Sequence, residues 1–254
     1  VDPIVFQLHS ELEARHWWFV GRRRILFPLI DALMAGQDEK LIVDVGCGTG
    51  ATVGFLSERR RCLGVDTSPI AIEAARRTYP QARYIVGRSP DDLRDSADET
   101  GLYLLMDVLE HIENDRKYLA DLVGLARPGT FILITVPALR SLWSRHDVTA
   151  EHVRRYEIDE LRRLFEGLPV SIELLSFFNA RLYPIIRLAR FLGNRLGHSV
   201  GRNSTDFAQY GFEINTLLTA IFASEGPRIN ALYGRPGGRG FRRGASLVAV
   251  LRKQ

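Results

Sequence analysis

The chain has 254 residues, 46% hydrophobic and 25% charged, a composition that supplies a core and excludes a disordered, collagenous or fibrous protein. Two cysteines, Cys47 and Cys62, exclude a disulfide framework; with no visible signal peptide and no apolar run of transmembrane length, the expected setting is the reduced cytoplasm. The net charge of +4 is uneven: about +9 from Arg181 onward and about −5 before it, so the basic tail suits an anionic surface or substrate, or is a solvated face.

Residues 1–36 read as an N-terminal helical element. It carries an aromatic cluster and an arginine run, His16-Trp17-Trp18-Phe19-Val20-Gly21-Arg22-Arg23-Arg24. A helical apolar stripe of Leu26, Leu29, Ile30 and Leu33 follows. From 41 to 137, strands at 41–45, 61–65, 83–86, 102–106 and 130–136 alternate with helices near 49–59, 69–78 and 114–126. Thr67-Ser68-Pro69 offers a capping hydroxyl and a proline at a helix start, and Pro128-Gly129 closes a helix before the fifth strand. This βαβ alternation predicts a parallel, doubly wound, Rossmann-like sheet. A polar stretch spans 138–157, a helix covers about 157–166, and 170–177 and 245–251 read as the last two strands.

The segment 178–243 is then a helical cap insertion in a core of 37–177 and 244–254. Its first helix is marked by Leu182, Ile185, Ile186, Ala189, Leu192 and Leu196, with Arg187, Arg190 and Asn194 on a basic polar face. Ile214, Leu217, Leu218, Ile221 and Phe222 mark the second. Such a cap either packs on the sheet or forms a lid that touches membrane or covers an apolar substrate.

The most informative motif is Leu41-Ile42-Val43-Asp44-Val45-Gly46-Cys47-Gly48-Thr49-Gly50-Ala51. A buried strand running into a glycine turn and a helix brings backbone N–H groups against a ligand. Asp44, at the strand end, can accept hydrogen bonds from a ligand amine or hydroxyl. Gly46, Gly48 and Ala51 also satisfy the dinucleotide fingerprint, and either cofactor class wants an acid such as Asp66 at the end of the second strand for ribose hydroxyls. The spacing D-x-G-x-G-x-G resembles the first motif of class I S-adenosylmethionine-dependent methyltransferases. That resemblance implies a seven-stranded sheet with an antiparallel last strand, and cofactor contacts from Asp44, Gly46, Gly48, Gly50, Asp66 and Thr67.

Met106-Asp107-Val108-Leu109-Glu110-His111-Ile112 follows the fourth strand, at the sheet edge that faces the ligand crevice. His111 is the best candidate for a general base, or else a structural cap of the next helix. If the backbone turns helical there, Asp107, Glu110 and His111 project to one side. His146 and His152 lie further on, and two carboxylates with two imidazoles suit a divalent ion such as Mg²⁺. The pattern D-x-x-E-H with a later histidine before a basic-aromatic run resembles the ubiquinone-biosynthesis O-methyltransferases and the small-RNA 2′-O-methyltransferases. By that resemblance Asp107, Glu110, His111 and His152 hold a metal, although Asp107 stands where a glutamate is usual. In a metal-free site His111 and His152 act directly or serve only to hold the 138–157 loop.

The His16–Arg24 stretch resembles an N-terminal element of bacterial methyltransferases near the ubiquinone group. Arg22 or Arg23 would then pair with the cofactor carboxylate, while Trp17, Trp18 and Phe19 wall the acceptor or simply pack. Asp107 also counts among the cofactor contacts. Ser89 is the adenine candidate, with Arg88 where an acid is usual.

The reading favoured is methyl transfer to an oxygen of a small acceptor: a phenol, a sugar or a lipid-linked molecule. An amine acceptor, an RNA 2′-hydroxyl, a non-catalytic cofactor-binding subunit and an NAD-dependent oxidoreductase are the alternatives. The tail lacks the aromatic–basic interleaving of a nucleic-acid platform, and no base-methylating Pro-Pro-aromatic motif follows the fourth strand.

Overall fold

A computed structural model of the chain describes residues 12–196, 210–235 and 238–254. Seven strands form one sheet in the order β3-β2-β1-β4-β5-β7-β6. They are β1 (Leu41–Val45), β2 (Cys62–Asp66), β3 (Arg83–Val86), β4 (Thr100–Met106), β5 (Phe131–Pro137), β6 (Val170–Phe178) and β7 (Ser246–Lys253). The first five pair in parallel, and β7 runs antiparallel between β5 and β6. The central strands β1, β4 and β5 are apolar on both faces because helices cover both faces. Seven strands with an antiparallel last member are what the motifs implied, and the strand order reverses between β1 and β4. A sheet of this kind opens a ligand crevice at the carboxyl ends of its strands at that reversal.

On one face pack α1 (Trp17–Leu33), α2 (Ala51–Leu56), α3 (Pro69–Thr78), α8 (Phe212–Ala223) and α9 (Gly226–Asn230). On the other lie α4 (Asp115–Leu125) and α6 (Ile158–Phe165). Between β5 and α6 runs the short helix α5 (Arg145–Thr149), and α7 (Tyr183–Leu196) opens the insertion. Among the described residues, the helix expected over 1–36 is α1, preceded by a turn at 12–15; residues 1–11 lie outside them. Ser68 caps α3 and Pro69 opens it, as the local sequence demands.

The N-terminal helix and the insertion meet. A Cβ on Gly21 would come within 2.5 Å of the Phe222 ring, so only glycine lets α1 and α8 approach so closely. Phe222 is fully buried and stacks on Phe178 with Trp17 at its edge. Burying a ring of this size is worth roughly 1.5–3 kcal/mol. Trp17 N donates to Asn215 Oδ1 (2.8 Å), and Asn215 Nδ2 donates to the Arg15 carbonyl (2.7 Å).

The amphipathic pattern of α7 sorts differently from its sequence. Leu182 is buried and Ile186 and Ala189 partly so, but Ile185, Leu188, Phe191 and Leu192 are exposed, Ile185 by 63%. Arg190, expected on the polar face, turns inward and donates to the Leu142 carbonyl (2.6 Å). A guanidinium with internal partners displaces apolar side chains from the packed face. The side chains of Asn194 and Leu196 lie outside the described residues. On α8, Phe212 (85%), Ile214 and Leu217 are exposed. Among the described residues no helix is long and apolar enough to cross a membrane.

Candidate active site

The turn from β1 to α2 builds the first wall. Gly46, Gly48 and Gly50 have φ of +68°, +54° and +84°, which explains glycine at alternate positions. Side chains would also clash at two of them: a Cβ on Gly46 would meet Val108 at 2.9 Å, and one on Gly50 would meet Ala75 and Tyr84 at 2.7 Å. At Gly48 nothing stands within 4 Å, so the loop faces open space there. Asp66 ends β2 and ties the loop to α3: its Oδ2 accepts from Gly48 N (2.9 Å) and its Oδ1 from Ser68 N (2.8 Å). Thr67 beside it is exposed.

Acids crowd this loop. Asp44 is buried at the end of β1; burial, opposed by Arg22 and reinforced by Glu13 and Asp66, pushes its carboxyl up to about 8. Glu13 reaches in from the N-terminal turn, and its Oε2 accepts from Thr49 Oγ1 (2.6 Å). Burial raises its carboxyl as well. Burial likewise raises the Cys47 thiol well above its usual range, so it is a packing group and not a nucleophile.

Arg22 is the counter-charge. Its guanidinium lies 4.3 Å over the Trp18 ring and pairs with Asp107. Asp107 does not share a face with Glu110 and His111. Its φ of +59° breaks the helical path, and only the 3₁₀ turn Leu109–His111 follows. The expected i, i+3, i+4 grouping therefore fails, and Asp107 turns to α1, with Thr135 Oγ1 as a second donor at 3.4 Å. The Ser89 hydroxyl is buried beside Tyr118, so it is not presented at the open sheet edge. The exposed apolar side chains there are Ile70 and Val86, and Val86 pairs in register with Asp66.

A second cluster stands behind Asp107. Ligand atoms of Glu110, His111 and His152 all lie within 4.8 Å of one another. Glu110 is fully buried, and neither of its side-chain oxygens has a hydrogen-bond partner among the described residues. Burial, then the Asp107 charge, raise its carboxyl well above the usual range. His111 keeps part of its ring exposed, but desolvation of the packed part and the neighbouring His152 push its imidazole down to about 4, so it is neutral at pH 7. The His111 and His152 rings meet edge to face with centroids 4.8 Å apart; His146 stands 6.0 Å from His152. A buried carboxyl without a partner, beside two imidazoles, is a donor set that fits a divalent cation.

Residues 19–168 match a methyltransferase domain family. The chain belongs to the class I S-adenosylmethionine-dependent methyltransferases. It is 35% identical over 237 residues to the mitochondrial ubiquinone biosynthesis O-methyltransferase of Schizosaccharomyces pombe, covering 84% of each chain. It is 22% identical to a probable S-adenosylmethionine-dependent methyltransferase of Mycolicibacterium smegmatis, over 64% of this chain and 62% of the relative's length. The fold is shared with a crystal structure of an S-adenosylmethionine-dependent methyltransferase from Archaeoglobus fulgidus, with a TM-score of 0.52, 16% identity, and 91% and 94% of the two chains covered. The relatives include both O- and N-methyltransferases. The cofactor is S-adenosylmethionine, and the oxidoreductase and non-catalytic readings give way to an enzyme. Glu13, Asp44 and Asp66 stand close enough for the two outer acids to raise the Asp44 carboxyl further. Glu13 had no signal in the sequence: an acid in a short N-terminal turn looks like any solvated charge.

Proposed function

We propose that this methyltransferase moves the methyl group of S-adenosylmethionine to an oxygen of a small acceptor, a phenol, a sugar or a lipid-linked molecule, beside Glu110, His111 and His152. The observation that carries the reading is the buried, unpartnered carboxyl of Glu110 next to two imidazoles. A phenol titrates near pH 10 and needs help to lose its proton at neutral pH. His111, neutral and partly exposed, is the group to take it. Glu110, His111 and His152 are also the residues that would hold a divalent cation, which when bound lowers the pKa of an acceptor hydroxyl. On the cofactor side, Asp66 accepts from the ribose hydroxyls, Ile70 and Val86 flank the adenine, and Arg22, freed from Asp107, pairs with the cofactor carboxylate. An amine acceptor is the second reading, favoured by the N-methyltransferases among the relatives.

The test uses labelled S-adenosylmethionine and a catechol as acceptor. Chelation is expected to lower transfer at least 100-fold, and Mg²⁺ or Mn²⁺ to restore it, with S-adenosylhomocysteine binding unchanged in calorimetry. Unchanged transfer after chelation would leave the histidines as a metal-free base.

The apolar side chains exposed on α7 and α8, next to Arg187 and Arg195, support a greasy acceptor delivered at an anionic membrane surface. The whole chain should then co-sediment with phosphatidylglycerol vesicles and be released by salt. Failure to sediment with them at low salt would reject membrane contact.

A further inference from the structure

We propose that Asp147 is a positioning residue that fixes His152 as its Nδ1–H tautomer and leaves Nε2 as the lone pair offered to the Glu110–His111 cluster. The proposal rests on the reading of His152 as a site residue, but its main test does not.

Asp147 sits in the first turn of α5 and is fully buried. One oxygen serves the helix start: Oδ2 accepts from Ser144 N at 2.8 Å. A capping acid needs no more than that. The other oxygen leaves the helix altogether. Oδ1 lies 2.9 Å from His152 Nδ1 and accepts from Arg155 Nε at 2.7 Å. Arg155 is itself buried and donates its second nitrogen to the Ala138 carbonyl (3.0 Å). Arg190 of α7 stands 3.9 Å from Oδ2, so the cap insertion supplies a second guanidinium.

Oδ1 takes the N–H of a buried guanidinium and Oδ2 takes a backbone N–H with a second guanidinium beyond it, so both oxygens act as acceptors and the group is held as the carboxylate. An ionised carboxylate has no proton to give. The proton between Asp147 and His152 must therefore sit on Nδ1, and a neutral His152 then has its lone pair on Nε2.

The backbone fixes the same arrangement from both sides. His152 N donates to the Asp147 carbonyl (2.8 Å), and Val153 N donates to the Glu110 carbonyl (2.8 Å). One short segment thus holds the imidazole between the acid that orients it and the acid it faces. The opposite tautomer would aim an N–H where a cation or a transferred proton has to go.

The test is nitrogen-15 NMR of the imidazoles in the whole protein at pH 7.5, with His152 assigned by the signal lost in His152→Gln. The expected result is a protonated Nδ1 and an unprotonated Nε2. Asp147→Asn offers both an acceptor and a donor, so the Nε2–H tautomer should appear. Catechol methylation should fall about 10- to 100-fold with S-adenosylhomocysteine affinity unchanged. A wild-type His152 in the Nε2–H form would overturn the proposal even if Asp147→Asn does not fold, and so would an unchanged tautomer in a folded Asp147→Asn. If the tautomer is as expected but chelation and His111→Ala both leave methyl transfer intact, the reading of the cluster falls and the positioning stands.

Discussion

Asp66→Ala is expected to weaken S-adenosylhomocysteine binding about 10²- to 10⁴-fold, read by calorimetric titration of the whole chain. The carboxylate has two tasks. It accepts from Gly48 N and Ser68 N, which sets the glycine loop against the start of α3. In the role proposed for it, its remaining lone pairs hold the two ribose hydroxyls together. Each hydrogen bond to a charged group contributes roughly 1.5–3 kcal/mol, and both kinds are lost at once. Asp66→Asn keeps an acceptor oxygen but brings an N–H against one of the two amide donors, so its loss should be intermediate. Unaltered affinity in Asp66→Ala would remove the ribose role.

The second large effect is on the rate. His111→Ala should lower kcat for catechol methylation about 10²- to 10⁴-fold, the range for loss of a positioned proton acceptor, with S-adenosylhomocysteine affinity within about twofold of wild type. The ring is partly exposed and packs on His152, so the cofactor should not notice its removal. A parallel collapse of cofactor binding would make His111 a structural residue. Full activity would move the chemistry elsewhere in the crevice.

The strands were legible because the sheet is covered on both faces. Apolar runs broken by a single polar residue, Asp44 in Leu41–Val45 and Thr135 in Phe131–Pro137, have no other home. The glycine loop was legible because φ above zero leaves only one residue type at ease. Two features of the site were not. Asp107 looked like the first turn of a helix shared with Glu110, but its own φ of +59° is set by tertiary contacts with Arg22 and Thr135, which local spacing does not encode. Arg190 fell on a polar stripe by periodicity, whereas its partners, Leu142 and Asp147, lie more than forty residues earlier in the chain. Glu13 and Asp147 are of the same kind: an acid turned inward is recognisable only once its donors have been brought to it.

The notch at Gly21 has a consequence for how the molecule is made. Phe222, which fills it, is synthesised some two hundred residues after α1 leaves the ribosome. Until then the first helix has the sheet beneath it but no neighbour across its glycine. Its upper side, Trp17 included, stays bare until α8 has emerged. The first helix is thus finished long after it is made, and its packing cannot close on a nascent chain that ends short of Phe222.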